Sequence, residues 1–278
     1  MRAGPTPGFL TVRGLSLRVS VEGRGQPLLL ISGLGASLDI WAPLREVLPG
    51  FQTIAFDIPG VGESPFPSWP LTIPRLARLT AGVLEALGYG QVDVMGVSWG
   101  GGLAQELAHR APERVRRLVL AATSFGLGAL PGKPRALIKL ANPFRYSVPG
   151  HLERIAPTIY GGGIEAHREL LERFAETLRK RPPSTRGFLW QIAVAAGWTS
   201  LPWLRRIPHP TLVLAGDRDP IVPLVNARLM ARLIPNAHLH VVRGGGHLFL
   251  LTHAGEVAPV VGDFLRPSRA APGEPAGT

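Results

Sequence analysis

Apolar and polar residues alternate through positions 10–22 around Gly14, with the two-residue period of a half-exposed strand pair, so the chain is expected to open with an antiparallel hairpin. The pattern then changes. Pro27-Leu28-Leu29-Leu30-Ile31-Ser32 is a continuous apolar run ending in a glycine-rich turn, as befits a strand buried on both faces. Further runs of this kind fall at 51–57, 92–96, 115–122, 211–216 and, more briefly, 239–242. Between most of them lie stretches with helical spacing. Leu76, Leu79, Val83, Leu84 and Leu87 make one stripe within 73–87, stopped by Gly88, and 103–109, 224–234 and 257–265 repeat the signal. Parallel strands need crossovers and crossovers are helical. The alternation therefore predicts an α/β fold, a mostly parallel central sheet with helices on both faces.

One region breaks the alternation. Residues 124–209 contain no convincing buried strand but do contain helical stretches at 135–140, 165–180 and 187–196, joined by Pro- and Gly-rich linkers such as PGKP and IYGGG. A helical cap at 124–209 is expected, inserted into a core made of residues 1–123 and 210–265 and lying over the carboxyl ends of the strands, where α/β sheets bind ligands. Its aromatic residues, among them Phe125, Tyr160, Trp190 and Trp198, are candidates for contacting an apolar substrate; the plainer alternative is that they only pack the cap onto the core. Residues 266–278 are small and Pro-rich, and are expected to be disordered.

Composition narrows the function. The 278 residues include no cysteine, which excludes disulfides, thiolate nucleophiles and Cys-based metal sites together. The net charge of +11 comes from 27 Arg against 3 Lys. These arginines are scattered, with no five-residue basic block and no recognised nucleic-acid-binding pattern, so no nucleic-acid partner is expected. No apolar run approaches the roughly 18 residues of a spanning helix, and the first twenty residues lack a signal-peptide apolar region, which together predict a cytoplasmic protein. Without a Walker motif, or a His pair at helical spacing with a Glu, neither metal nor cofactor is expected.

The sharpest chemical signal is Gly96-Val97-Ser98-Trp99-Gly100, directly after the strand at 92–96 and before a helix. This G-x-S-x-G spacing between strand and helix is that of the nucleophile elbow of α/β-hydrolases, where the turn is so tight that flanking side chains have no room. A glycine-rich turn with a capping serine is the alternative. A serine nucleophile needs a base, and the base needs an orienting carboxylate. Among eight histidines, His247 stands best, in Gly244-Gly245-Gly246-His247-Leu248 after the last strand; His109, His151, His167, His209, His238, His240 and His253 fall in helices, in the cap, on strand positions or near the mouth. For the carboxylate, Asp217 and Asp219 compete in Gly216-Asp217-Arg218-Asp219-Pro220. Asp219 is favoured because the first Asp after a strand commonly bonds local backbone N–H groups. The order Ser98, Asp219, His247 is that of the α/β-hydrolase triad. Oxyanion donors would be the backbone N–H groups of Trp99 and of Leu34, the latter within Ser32-Gly33-Leu34-Gly35. The loop Asp57-Ile58-Pro59-Gly60-Val61-Gly62-Glu63-Ser64 is taken as structural.

Beyond the elbow, FDIPGVG at 56–62, LVLAAT at 118–123, PGKP at 131–134, RIAP at 154–157, IYGGG at 159–163, AGWTS at 196–200, PTLVLAGD at 210–217 and GHLFL at 246–250 carry a resemblance to one branch of the α/β-hydrolase superfamily. Over nearly its whole length the chain resembles the intracellular poly(3-hydroxyalkanoate) depolymerases that act on medium-chain-length polymer. The resemblance implies Ser98, Asp219 and His247 as nucleophile, acid and base, an acyl-enzyme, a polyester or ester substrate, and contact with a polymer granule surface. Phe125, Tyr160, Trp190 and Trp198, with Leu248 next to the base, are the candidate substrate contacts. Two departures stand out: Gly244-Gly245-Gly246 replaces an Asp-Asp-Gly, and Glu63 replaces a small residue. Three other functions are open or disfavoured. A general carboxylesterase or lactonase acting on small esters, or on other aliphatic polyesters, would use the same triad. A non-catalytic granule-binding protein is a different class, argued against by the complete triad. Haloalkane dehalogenases and epoxide hydrolases carry Asp where Ser98 stands.

Overall fold

A computed structural model describes residues 7–67, 71–146 and 148–266. The predicted hairpin is present as β1 (Gly8–Val12) and β2 (Leu15–Gly23), and the buried runs become β3 (Gln26–Ile31), β4 (Phe51–Phe56), β5 (Val92–Val97), β6 (Val115–Ala121), β7 (Thr211–Gly216) and β8 (Ala237–Val242). They form one eight-stranded sheet in the order β1-β2-β4-β3-β5-β6-β7-β8. Only β1–β2 and β2–β4 pair antiparallel; every pairing from β4 to β8 is parallel.

The continuous apolar runs are explained by the pleat, which sends successive side chains to opposite faces. Leu29, Ile31, Val94, Leu118, Leu120 and Val213 point into one core, beneath α2 (Ile73–Ala86), α3 (Trp99–Arg110) and α8 (Leu224–Leu233). Leu28, Leu30, Met95, Val119, Leu212 and Leu214 point into the other, beneath α1 (Ala42–Val47), α9 (Phe249–Thr252) and α10 (Ala254–Leu265). Both faces of the parallel strands are therefore buried, as parallel sheets require.

Between β6 and β7 the chain forms α4 (Pro134–Leu140), α5 (His151–Tyr160), α6 (Arg168–Lys180) and α7 (Thr185–Ala196), and no strand of the sheet. Helices α4 to α6 share a small core of their own, including Ala136, Leu152, Ile155, Ile159, Leu171 and Leu178. The hydrophobic pattern missed α1, α5 and α9. The first and last, of six and four residues, are too short to show a stripe, and α5 carries Pro157 inside it, which interrupts the backbone hydrogen bonding that defines a helical run. A helix expected at 165–180 is divided in two, a 3-10 turn at Ile164–Ala166 and then α6. Arg266 ends α10; the remainder of the tail expected to be disordered lies outside the described residues.

Candidate active site

The site begins with a strained turn. Ser98 links β5 to α3 with φ +54° and ψ −120°, a conformation few non-glycine residues adopt. What holds it there is close packing. A Cβ at Gly96 would sit 2.4 Å from the Gly100 carbonyl, and one at Gly100 would sit 2.3 Å from the Ile31 carbonyl. The Ser98 N–H donates to the Ala121 carbonyl of β6 at 2.9 Å, and its own carbonyl accepts the Thr123 hydroxyl at 2.7 Å. The hydroxyl thus stands at the carboxyl edge of the sheet, at the N-terminus of α3.

The other two predicted side chains arrive from loops after β7 and β8. His247 Nε2 lies 3.0 Å from Ser98 Oγ, and His247 Nδ1 lies 2.7 Å from Asp219 Oδ2. Both His247 and Asp219 are buried. The distances form a continuous chain from hydroxyl through imidazole to carboxylate, across positions far apart in sequence. Asp219 also receives the Ile221 and Val222 N–H groups on Oδ1, at 2.7 and 3.0 Å, so this carboxylate both closes its own turn and orients the ring. Asp217 instead accepts the Gly244 N–H at 2.7 Å and pins the base of the histidine loop.

Two glycine-rich segments that looked unrelated in the sequence interlock here. A Cβ on Gly246 would meet the Tyr160 carbonyl at 2.2 Å, and one on Gly162 would meet the Gly246 nitrogen at 2.1 Å. The His247 N–H donates to that same Tyr160 carbonyl at 2.7 Å. The carboxyl end of α5 therefore holds the backbone of His247.

Leu34 and Trp99, the expected oxyanion donors, line one space with Ser98. Trp99 is the first residue of α3, where an N–H has no intrahelical carbonyl. Leu34 sits in the turn after β3, opposite the elbow: a Cβ on its neighbour Gly33 would lie 3.4 Å from Ser98 Cβ. Within this turn the Gly35 N–H is bound by Gln191 Oε1 at 2.8 Å and the Ala36 N–H by the Gly33 carbonyl at 3.2 Å. Neither contact uses Leu34.

Two apolar spaces meet at Ser98. The inner one is lined by Leu34, Trp41, Leu44, Ser98, His247 and Leu248 from the core and by Leu140, Arg145, Tyr160, Phe174 and Leu178 from the helical segment. The outer one is a groove running from Leu34, Trp99 and Trp198 past Leu140 to Leu127 and Leu130, which are 64% and 57% exposed. Of the candidate substrate contacts, Tyr160 and Leu248 line the inner space and Trp198 the groove. Phe125 and Trp190 line neither. Phe125 is fully buried in the sheet core, and Trp190 packs edge-on against Phe66 at 5.8 Å. Their size and apolarity are satisfied by packing.

Asp57 behaves as the structural residue its loop implied. It is fully buried, accepts the Leu38 and Glu63 N–H groups at 2.7 and 3.0 Å, and lies 3.3 Å from Arg18. Burial pushes its carboxyl above the usual range, against the pull of those partners. Glu63, the departure noted in the sequence, is paired with Arg18 at 2.8 Å and Arg181 at 3.3 Å, so its charge is used.

Two polar residues of the site escaped sequence reasoning. Arg145 is buried beside the inner cavity, with its guanidinium over the Phe188 ring at 4.7 Å and Nη1 donating to the Leu140 carbonyl at 2.6 Å; nothing in its local sequence announced it. Gln191 carried one signal, a lone amide within the apolar run Phe188-Leu189-Trp190-Gln191-Ile192-Ala193-Val194. Among the described residues no cluster of His, Cys, Asp and Glu could hold a metal ion, and no helix is long and apolar enough to cross a membrane.

A family model for the alpha/beta hydrolase fold matches residues 26–254. The chain belongs to that family. A curated poly(3-hydroxyalkanoate) depolymerase from Ectopseudomonas oleovorans is 52% identical over 244 residues, 87% of this chain and 85% of that protein, which bears out the resemblance drawn from the motifs. A 2-hydroxymuconate semialdehyde hydrolase from Pseudomonas sp. strain CF600 is 34% identical, covering 93% of each chain. Among solved structures, a meta-cleavage product hydrolase from Pseudomonas fluorescens IP01 superposes with a TM-score of 0.78 over 92% of this chain and 96% of that one, at 23% identity; this likeness speaks for the alpha/beta hydrolase fold alone.

Proposed function

We propose that this alpha/beta hydrolase cleaves the ester bonds of poly(3-hydroxyalkanoate), of medium side-chain length, through an acyl-enzyme on Ser98. The observation that carries the proposal is the unbroken hydrogen-bonded chain Ser98–His247–Asp219 where two apolar spaces meet. Ser98 Oγ attacks the ester carbonyl as His247 Nε2 takes its proton. The imidazolium so formed is stabilised by Asp219 through Nδ1–H, and the Leu34 and Trp99 N–H groups bind the oxyanion. Collapse of the tetrahedral intermediate breaks the bond to the alcohol oxygen, which receives the proton from Nε2. Water, deprotonated by the same nitrogen, then releases the acid and regenerates Ser98.

Aliphatic lining supports an aliphatic substrate. The inner space offers Leu44, Leu140, Leu178, Leu248, Leu250 and Leu251, enough apolar surface to desolvate a side chain of several methylenes at about 0.8 kcal/mol per CH₂. Residues 124–209 act as a cap that supplies the wall opposite the triad, with Tyr160, Trp198 and Leu248 as substrate contacts. The relative at 52% identity supports the polyester, and the protein would meet it at the granule surface in the cytoplasm. The test is acid release from a suspension of medium-chain poly(3-hydroxyalkanoate), with a short p-nitrophenyl ester in parallel and Ser98→Ala as control. Serine-dependent clearing of polymer is expected. Turnover of the soluble ester alone would keep the triad and replace the polyester by a small-ester or lactone substrate.

A further inference from the structure

Gln191 joins the two loops from which the oxyanion donors come. Its side-chain Oε1 accepts the Gly35 N–H at 2.8 Å, next to Leu34, while its backbone carbonyl accepts the Trp99 indole N–H at 2.9 Å. These bonds span 156 and 92 residues of sequence and tie one turn of α7 to both sides of the elbow. The residue is wholly buried, and Nε2 of its amide has no hydrogen-bond partner among the described residues. Burying an unpartnered amide N–H₂ in an apolar helix face opposes folding. An aliphatic residue at 191 would avoid that cost but leave the buried Gly35 N–H without its acceptor, so what the side chain contributes is the bond that its oxygen makes to this turn.

We propose that Gln191 is a positioning residue for ester hydrolysis, setting the Leu34 turn and the Trp99 end of α3 so that both N–H groups aim at the developing oxyanion. The inference rests on the serine-hydrolase mechanism proposed above. The chemical reason lies in the turn: Gly35 has φ +70°, and a peptide plane there is free to rotate unless its N–H is bound. By taking the Gly35 N–H, Gln191 Oε1 fixes the plane adjoining Leu34 and keeps that second donor from competing for the oxygen. An oxyanion contact is made only in the transition state, so loosening it lowers kcat without raising KM.

Two variants test this on a soluble p-nitrophenyl ester. Gln191→Leu removes the acceptor at nearly equal volume; kcat should fall roughly ten- to thirtyfold with KM within about twofold, less than the hundredfold or more expected when a donor is lost outright. Affinity for an alkyl boronic acid, which forms a tetrahedral adduct on Ser98, should fall by the same factor. Gln191→Glu keeps an acceptor when protonated and sets a negative charge beside the oxyanion when ionised. Its kcat relative to the unsubstituted enzyme should fall as pH rises through the new carboxyl, a trend that a role in packing alone would not produce. Unchanged kcat and boronate affinity in Gln191→Leu, or a loss confined to KM, would overturn the inference. If Gln191→Leu fails to fold, a Gln191→Glu ratio flat with pH would overturn it alone. Failure of the underlying mechanism looks different, because then Ser98→Ala would leave ester turnover intact.

Discussion

Ser98 and His247 stand 3.0 Å apart yet are held by different parts of the molecule. The serine is fixed by the sheet: β6 takes its N–H, Thr123 binds its carbonyl, and the β3 end leaves no room at Gly100 for a Cβ. The histidine loop is held at its base by Asp217 of the core, and at His247 itself by the helical segment, through the Tyr160 carbonyl and the contact of Gly162 with Gly246. The difference teaches that residues 124–209 do more than roof the cavity. They complete the backbone support of the base, and through Gln191 they brace the turn beside Leu34. At two points, then, the helical segment bears on the catalytic groups as well as on the lining of the cavity.

The comparison predicts that changes to the triad itself weigh most. Asp219→Asn can keep the two backbone N–H groups on its oxygen but must turn an amide N–H₂ toward His247, which forces the wrong imidazole tautomer. We expect kcat to fall by about 10³–10⁴-fold with the fold intact. A loss under tenfold would remove Asp219 from the mechanism and direct attention to Asp217.

Next in size comes the helical support of His247. Gly162→Ala would put a methyl 2.1 Å from the Gly246 nitrogen at a backbone φ of +61°, whereas Gly163→Ala, at φ +67°, meets nothing within 4 Å. Both substitutions incur the left-handed penalty of about 1–2 kcal/mol. Only Gly162→Ala should also shift the histidine loop, lowering kcat by roughly ten- to a hundredfold, since a misplacement near 1 Å can cost about 10². Equal kcat values in the two variants would show that the sheet alone positions the base.

How much of this was legible beforehand follows the same division. The strands were readable because two-sided burial makes continuous apolar runs, and Ser98, Asp219 and His247 because each follows such a run in a glycine-rich turn. Their meeting depends only on the sheet order, which a parallel α/β pattern nearly dictates. The helical segment was less readable. Pro157 hid α5, and the aromatic side chains of Phe125 and Trp190 gave no sign of which would line a cavity and which would fill a core. The interlock of IYGGG with GGGH could not be inferred, because glycine runs look like flexible linkers until the atoms they admit are known.

A smaller effect separates the groove from the inner cavity. Leu127→Ser and Leu130→Ser alter exposed apolar residues at the outer end, in a stretch of groove that His247 does not line. Together they should reduce clearing of polymer severalfold and leave a short p-nitrophenyl ester unaffected, each exposed leucine contributing roughly 1–2 kcal/mol of contact when covered. A parallel loss on both substrates would mean that the groove shapes the catalytic geometry rather than the approach of a long chain.

The smallest expected effect lies at the far, amino-terminal end of β7, where His209 is buried and its Nε2 has no hydrogen-bond partner among the described residues. Burial holds its pKa below the ordinary 6.5, so the folded state resists the proton that the unfolded state accepts. His209 is neutral in both states above that pH. As the pH falls below 6.5 the unfolded chain binds the proton first, and stability drops until the folded pKa is passed. Asp39 and Glu153, whose pKa values are held below normal by Arg18 and Arg179, lose their share only at lower pH, and the buried Asp57 and Asp93 pull in the opposite direction. All four are common to the parent and to His209→Leu, so the difference between the two isolates the histidine. Melting temperatures measured from pH 7 down to about 4.5 should fall less steeply for His209→Leu, by a few degrees at roughly 2–4 °C per kcal/mol for a chain of this size. Parallel curves would mean that His209 takes up its proton in the folded state, and that acid sensitivity arises instead in the ion pairs around Arg18 and Arg179.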